Sequence, residues 1–148
     1  MVWELRKETK NLNEKELKII LLTHGGWGMS LVKSLEMILG KIDCCCEIPL
    51  KPEYTFEEYC QLVEECINKF DSHSIVLTDL LGGSTSNAAI KICFSKGIKV
   101  FTGLNAPLLL EACSQLQFRE SFDYEQLLKV GQESCHDAIE EMTRKLGK

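Results

Sequence analysis

His24 lies in the segment Thr23-His24-Gly25-Gly26-Trp27-Gly28, directly after the run Leu17 to Leu22, which is apolar but for Lys18. Glycines on its downstream side leave the imidazole accessible, as a nucleophile or acid/base group requires. A second polar segment, Asp79-Leu80-Leu81-Gly82-Gly83-Ser84-Thr85-Ser86-Asn87, offers a carboxylate at its first position and a glycine turn leading into a helix. If the two segments are neighbours, Asp79 can accept a hydrogen bond from one ring nitrogen of His24. That contact would fix the tautomer and leave the other nitrogen free to attack phosphorus, with the carboxylate stabilising the ring as it gains positive character. The backbone N–H groups of Gly82 and Gly83, the Ser84 hydroxyl and the dipole of the following helix suit an anion such as a phosphoryl group. Thr23, beside His24, is a further candidate for holding it. Singly, a lone histidine is more often structural and a glycine turn more often a helix-capping device; the conjunction of His24, Asp79 and the glycine loop is what points to chemistry. His73, in Asp71-Ser72-His73-Ser74, and His136, assigned to a C-terminal helix, read as surface or capping residues.

These loops need elements to hold them. Leu17–Leu22 reads as a strand covered on both faces. Met29, Leu31, Val32, Leu35, Ile38 and Leu39 recur at helical spacing before a stop at Gly40. Ile42–Ile48 reads as a second strand, followed by a Pro-bounded loop and a helix announced by a capping box from Thr55 to Glu58, with Phe56, Tyr59, Leu62, Val63, Cys66 and Phe70 as its stripe. Ser74–Thr78 is a third strand, residues 87–95 a helix closed by Gly97, and Ile98–Thr102 a fourth strand. Pro107 suits the first turn of a helix through Gln115. From Ser121 the pattern is helical, with Leu127, Leu128, Ala138, Ile139 and Met142 as its buried face and Gly131 as its weak point. Four successive βα units predict an α/β fold, a doubly wound, mainly parallel sheet of four strands with helices on both faces. In such a sheet ligands bind beyond the carboxyl ends of the strands where strand order reverses, which selects the loops carrying His24, Asp79 and Gly103-Leu104-Asn105-Ala106-Pro107.

The chain has 148 residues, 45% of them hydrophobic, enough for one domain with its own core. A net charge of −5 offers no basic field for nucleic acid or an anionic membrane surface. The Lys- and Glu-rich start has no apolar leader and no stretch is long enough to cross a bilayer, so a cytoplasmic protein with no direct membrane insertion is expected. The eight cysteines include no CxxC pair, so no metal is expected, and they read as small buried hydrophobes in a reducing compartment. Cys44, Cys45 and Cys46 fall in the second strand, and Cys60, Cys66, Cys93 and Cys135 in helices.

Three segments together resemble the mannose-family enzyme IIA proteins of the bacterial phosphoenolpyruvate-dependent sugar phosphotransferase system: Ile-Ile-Leu-Leu-Thr-His-Gly at 19–25 with Leu31, Ser34 and Gly40 behind it, Thr-Asp-Leu-Leu-Gly-Gly-Ser at 78–84 with Asn87, and Thr-Gly-Leu-Asn-Ala-Pro-Leu-Leu-Leu-Glu at 102–111. The resemblance covers nearly everything after residue 17 and leaves residues 1–16 as an N-terminal extension. It implies that His24 takes a phosphoryl group from the phosphocarrier HPr and passes it to an enzyme IIB for sugar uptake, that Asp79 contacts the active histidine, and that Ser84 helps hold the phosphoryl group. It implies no cofactor. Trp27, Asn105 and Pro107 would form the rim where partners dock. The family is also dimeric, so a fifth, antiparallel strand exchanged in a homodimer is expected, sought between Ser114 and Ser121.

The sequence departs from the family at Thr85, where Pro is usual and where a hydroxyl could cap the helix instead, and at Ala106, smaller than the usual apolar residue. Three alternatives are set against this reading. A phosphorylation-controlled regulatory domain of a transcription activator would lack its DNA-binding and ATPase segments here. The phosphotransfer subunit of dihydroxyacetone kinases typically has Ser after the histidine, where this chain has Gly25. A nucleotide- or flavin-binding module would want GxGxxG after the first strand, which is absent.

Overall fold

Apolar runs too short for helices alternate with segments of helical period, and in the computed structural model, which describes residues 14–147, they fold as four parallel strands and six α-helices. β1 is Ile19–Leu22, α1 Gly28–Leu39, β2 Cys45–Glu47, α2 Phe56–Ile67, β3 Ile75–Thr78, α3 Ser84–Cys93, β4 Lys99–Thr102, α4 Ala106–Arg119, α5 Tyr124–Gln132 and α6 Ala138–Lys145; a 3₁₀ turn, Phe94–Lys96, extends α3. The sheet order is β2-β1-β3-β4, all parallel, so the order reverses between β1 and β3.

β1 and β3 are central and buried at every position, which is why their sequences run apolar without alternation. Successive side chains still go to opposite faces. Ile19, Leu21, Ile75 and Leu77 pack under Val32 and Leu35 of α1, Leu108, Leu109 and Ala112 of α4 and Leu127 of α5. Ile20, Leu22 and Val76 pack on the other face with Tyr59, Val63 and Ile67 of α2 and Ala88, Ala89 and Ile92 of α3. The Tyr59 hydroxyl, buried with its ring, donates to the Ile48 carbonyl at 2.7 Å and ties α2 to the end of β2. The expected capping box is present in both halves: Glu58 N–H donates to Thr55 Oγ1 at 3.2 Å and Thr55 N–H to Glu58 Oε2 at 2.8 Å.

Several expectations are corrected. β2 is three residues long rather than seven, because an edge strand pairs only where β1 offers partners. α3 begins at Ser84, not 87, so the glycine turn is shorter than read. α4 runs to Arg119, so residues 114–119, where an exchanged strand was sought, are helical, and no fifth strand occurs among the described residues. The C-terminal helix is two helices; Leu127 is buried, but Leu128, Ile139 and Met142 are exposed, and His136 precedes α6 instead of lying on it. Gly131, read as a weak point, sits within α5, where a Cβ would meet Leu108 at 3.5 Å, and its carbonyl accepts from Asn105 Nδ2 at 3.3 Å. Of the N-terminal extension, residues 1–13 lie outside the described residues; Lys15 Nζ donates to the Asn68 carbonyl and the Glu16 carbonyl accepts from Asp71 N–H. No helix among the described residues is long and apolar enough to cross a membrane.

Candidate functional site

The reversal of strand order places the ends of β1 and β3 side by side, and with them His24 and Asp79. Asp79 is buried and all its acceptor capacity is used. Its Oδ2 accepts from the His24 backbone N–H at 2.7 Å and lies 2.8 Å from His24 Nδ1; its Oδ1 accepts from Leu80 N–H at 3.0 Å and from the Thr85 hydroxyl at 2.7 Å. Burial pushes the Asp79 carboxyl upward, but the hydrogen bonds from His24 N–H, Thr85 and the His24 ring outweigh it and hold the group below the usual carboxylate range. An ionised carboxylate can only accept, so Nδ1 carries the proton that faces it, and in the neutral ring Nε2 is the nitrogen with the free lone pair. The side chain of His24 is 44% exposed while that of Asp79 is 5% exposed, an accessible ring on a buried support.

The glycines shape this opening. Gly25 and Gly26 have φ of +74° and +88°, a left-handed path that turns the chain away beyond His24. A Cβ on Gly83 would lie 3.2 Å from His24 Cε1 and 3.3 Å from the Leu80 carbonyl oxygen, so the N-cap of α3 closes directly on the imidazole edge next to Nε2. α3 has no side-chain cap and no acidic residue in its first turn, which leaves its first N–H groups and its dipole for an anion at that edge. Ser84, its first residue, is exposed there. Gly83 N–H, expected among the anion donors, is spent on the Leu80 carbonyl at 3.2 Å.

Thr23 is placed differently from expectation. It is wholly buried and its hydroxyl donates to Glu47 Oε2 at 2.7 Å instead of facing the opening. The same carboxylate accepts from Gly28 N–H at 2.6 Å and Met29 N–H at 3.3 Å, capping α1, and a Cβ at Gly28 would collide with it. Asn105 is likewise a helix cap: its Oδ1 accepts from Leu108 N–H at 2.9 Å, and its Nδ2 donates to the Gly103 and Gly131 carbonyls. Trp27 is partly exposed and Pro107 exposed, so both remain available at the surface. His73 pairs with Asp71 and His136 with Glu141, both well exposed.

The roles of three supporting residues escaped the sequence reading. Thr85 is fully buried at the second position of α3 and bonds Asp79 rather than capping the helix. A Pro there could not donate, so this departure from the family pattern supplies the site with a hydrogen bond. Ser86 bonds Thr78 Oγ1 at 2.6 Å, Thr102 Oγ1 at 3.2 Å and the Leu80 carbonyl, joining the ends of β3 and β4 to the loop. Glu47 is the third. Nothing in its local sequence marks it; only the parallel pairing of β1 and β2 brings it to α1.

The family model described as EIIA-man, PTS system fructose IIA component, matches residues 18–125. The "PTS system mannose-specific EIIAB component" of Escherichia coli (strain K12) is 28% identical over 132 residues, 87% of this chain, which spans only 40% of that protein's length. Among solved structures, the phosphotransferase system component EIIA from Streptococcus agalactiae superposes with a TM-score of 0.73 at 28% identity, covering 82% of this chain and 96% of that one. A sigma-54 interaction domain protein from Enterococcus faecalis shares the fold, with a TM-score of 0.62 at 16% identity over 90% of this chain and 98% of that one. A family-model match over most of the chain means that this protein belongs to the mannose-type enzyme IIA family of the sugar phosphotransferase system.

Proposed function

We propose that the protein is a phosphocarrier: His24 accepts a phosphoryl group from phosphorylated HPr and passes it to an enzyme IIB. The observation that carries the reading is the 2.8 Å contact between His24 Nδ1 and Asp79 Oδ2, which leaves Nε2 as the free nucleophile. In the transfer, Nε2 forms a bond to phosphorus as the donor's N–P bond breaks. The Nδ1 proton stays between His24 and Asp79, and the ring's developing positive charge is balanced by the carboxylate. The first N–H groups of α3 and the Ser84 hydroxyl stabilise the equatorial oxygens, and alignment with charge stabilisation suffices for phosphoryl transfer.

A protein donor, rather than a small molecule, is supported by the surroundings of His24. Trp27, Leu80 and Leu81 are all exposed apolar side chains, and the last two belong to the loop that flanks the ring. A docking partner would cover them and exclude water from a phosphohistidine that is otherwise open to solvent. We take the chain as a single IIA domain that works as a homodimer in the cytoplasm, on the strength of the family resemblance. A phosphorylation-controlled regulatory role would use the same histidine; the shared fold of the sigma-54 interaction domain protein supports it, and transfer onward to a IIB protein separates the two.

Intact mass after incubation with enzyme I, HPr and phosphoenolpyruvate tests the carrier role. The wild type is expected to gain one acid-labile phosphoryl group and His24→Ala none. No gain in the wild type, or equal gain in the variant, would overturn it.

A further inference from the structure

Away from His24, the described residues hold a thiol cluster at the sheet edge. Cys44 precedes β2, Cys45 opens it, and Cys113 comes from the middle of α4. The spacing rule that excludes a CxxC zinc site says nothing of cysteines joined by the fold. Their three sulfurs lie within 4.8 Å of one another, and Cys45 Sγ is 3.6 Å from Cys113 Sγ. Thiolates bound to one ion at about 2.3 Å stand about 3.8 to 4.0 Å from each other, so small side-chain adjustments suffice to close the set on a metal. Cys113 is buried, while Cys45 on the edge strand and Cys44 just before it are half-buried, which makes an inner ligand with an open mouth. Among the described residues no further Cys, His, Asp or Glu joins the group. Cys46, the next residue, packs against the opposite core with Cys66.

We propose that Cys44, Cys45 and Cys113 form a three-coordinate site for a soft, thiophilic d¹⁰ ion, Cu(I). Thiolates select soft ions, and a closed structural Zn(II) site would need a fourth protein ligand that this group lacks. Each Cu–S bond replaces an S–H bond whose proton goes to solvent, and no electron is transferred. The site is on the sheet edge and independent of the His24 chemistry.

The test is anaerobic titration of the reduced full chain with Cu(I) against a chromophoric Cu(I) chelator. One equivalent should be retained per chain, with thiolate-to-copper absorption in the ultraviolet. Cys44→Ser, at a half-buried position, and Cys45→Ser should each weaken retention by more than about 100-fold, the upper end of what losing an outer-shell partner of a metal site costs. Cys46→Ser and Cys135→Ser should leave it unchanged, with circular dichroism confirming that every variant is folded. Failure to retain copper against the chelator, retention by the folded Cys44→Ser and Cys45→Ser variants, loss in Cys46→Ser or Cys135→Ser, or one-for-one displacement by Zn(II) would each overturn the proposal.

Discussion

Asp79 is the residue on which the His24 site depends, because it is at once buried, ionised and bonded to the backbone, the ring and Thr85. Asp79→Asn puts an NH₂ group where two N–H donors converge, or turns the amide and misplaces the Thr85 and Leu80 donors instead. Phosphorylation of His24 should slow on the order of 100-fold or more, as when an orienting carboxylate is lost from a histidine. Stability should fall by about 1–3 kcal/mol through unsatisfied buried donors. Because the folded Asp79 carboxyl is held below its unfolded value, its contribution is full above that value, about pH 3.9, and is lost as pH falls through the folded value. Urea unfolding of wild type and variant across pH should therefore show the gap closing at the acid end, and a gap that stays constant would contradict this role. His24 and Asp79 were legible because each stands within two residues of the end of a buried strand. Thr85 and Glu47 were not, since a hydroxyl near a helix start looks like a cap and a glutamate in an edge strand looks solvated until the pairing of β1 with β2 is known.

At the scale of elements, the approach of α3 to the end of β1 sets the geometry, and Gly83 is its contact point. Its φ of −76° suits any residue, so the need for glycine is one of space alone. Gly83→Ala should push the imidazole edge or lift the α3 N-terminus by a few tenths of an ångström. Displacements of this kind near a reacting atom are costly, and we expect phosphoryl transfer to slow about 10-fold or more while unfolding free energy changes by under about 1 kcal/mol. Stopped-flow phosphorylation beside thermal unfolding would separate the two; an unimpaired rate would mean that α3 does not crowd the ring. The periodicity and caps told the element order well, and the Thr55–Glu58 box marked the start of α2 correctly. The ends were harder. β2 is trimmed by what β1 can pair with, and the C-terminal apolar pattern breaks where Asp137, capping Ile139 and Glu140 N–H, starts a new helix whose Ile139 and Met142 find no core.

For the whole molecule, the order β2-β1-β3-β4 accounts for the site: reversal between β1 and β3 is what brings residues 24 and 79 together across 55 positions of chain. That juxtaposition was inferable from four βα units, whereas the sheet-edge thiol cluster was not, since no spacing rule joins Cys45 to Cys113. The central claim is that the fold presents Nε2 of His24, with Nδ1–H held by Asp79, as the phosphoryl acceptor. Long-range ¹H–¹⁵N and ³¹P NMR of the phosphorylated protein tests it most directly. The account predicts a single phosphohistidine substituted at Nε2 of His24 with Nδ1 protonated; phosphorus on Nδ1, or on any other residue, would contradict it.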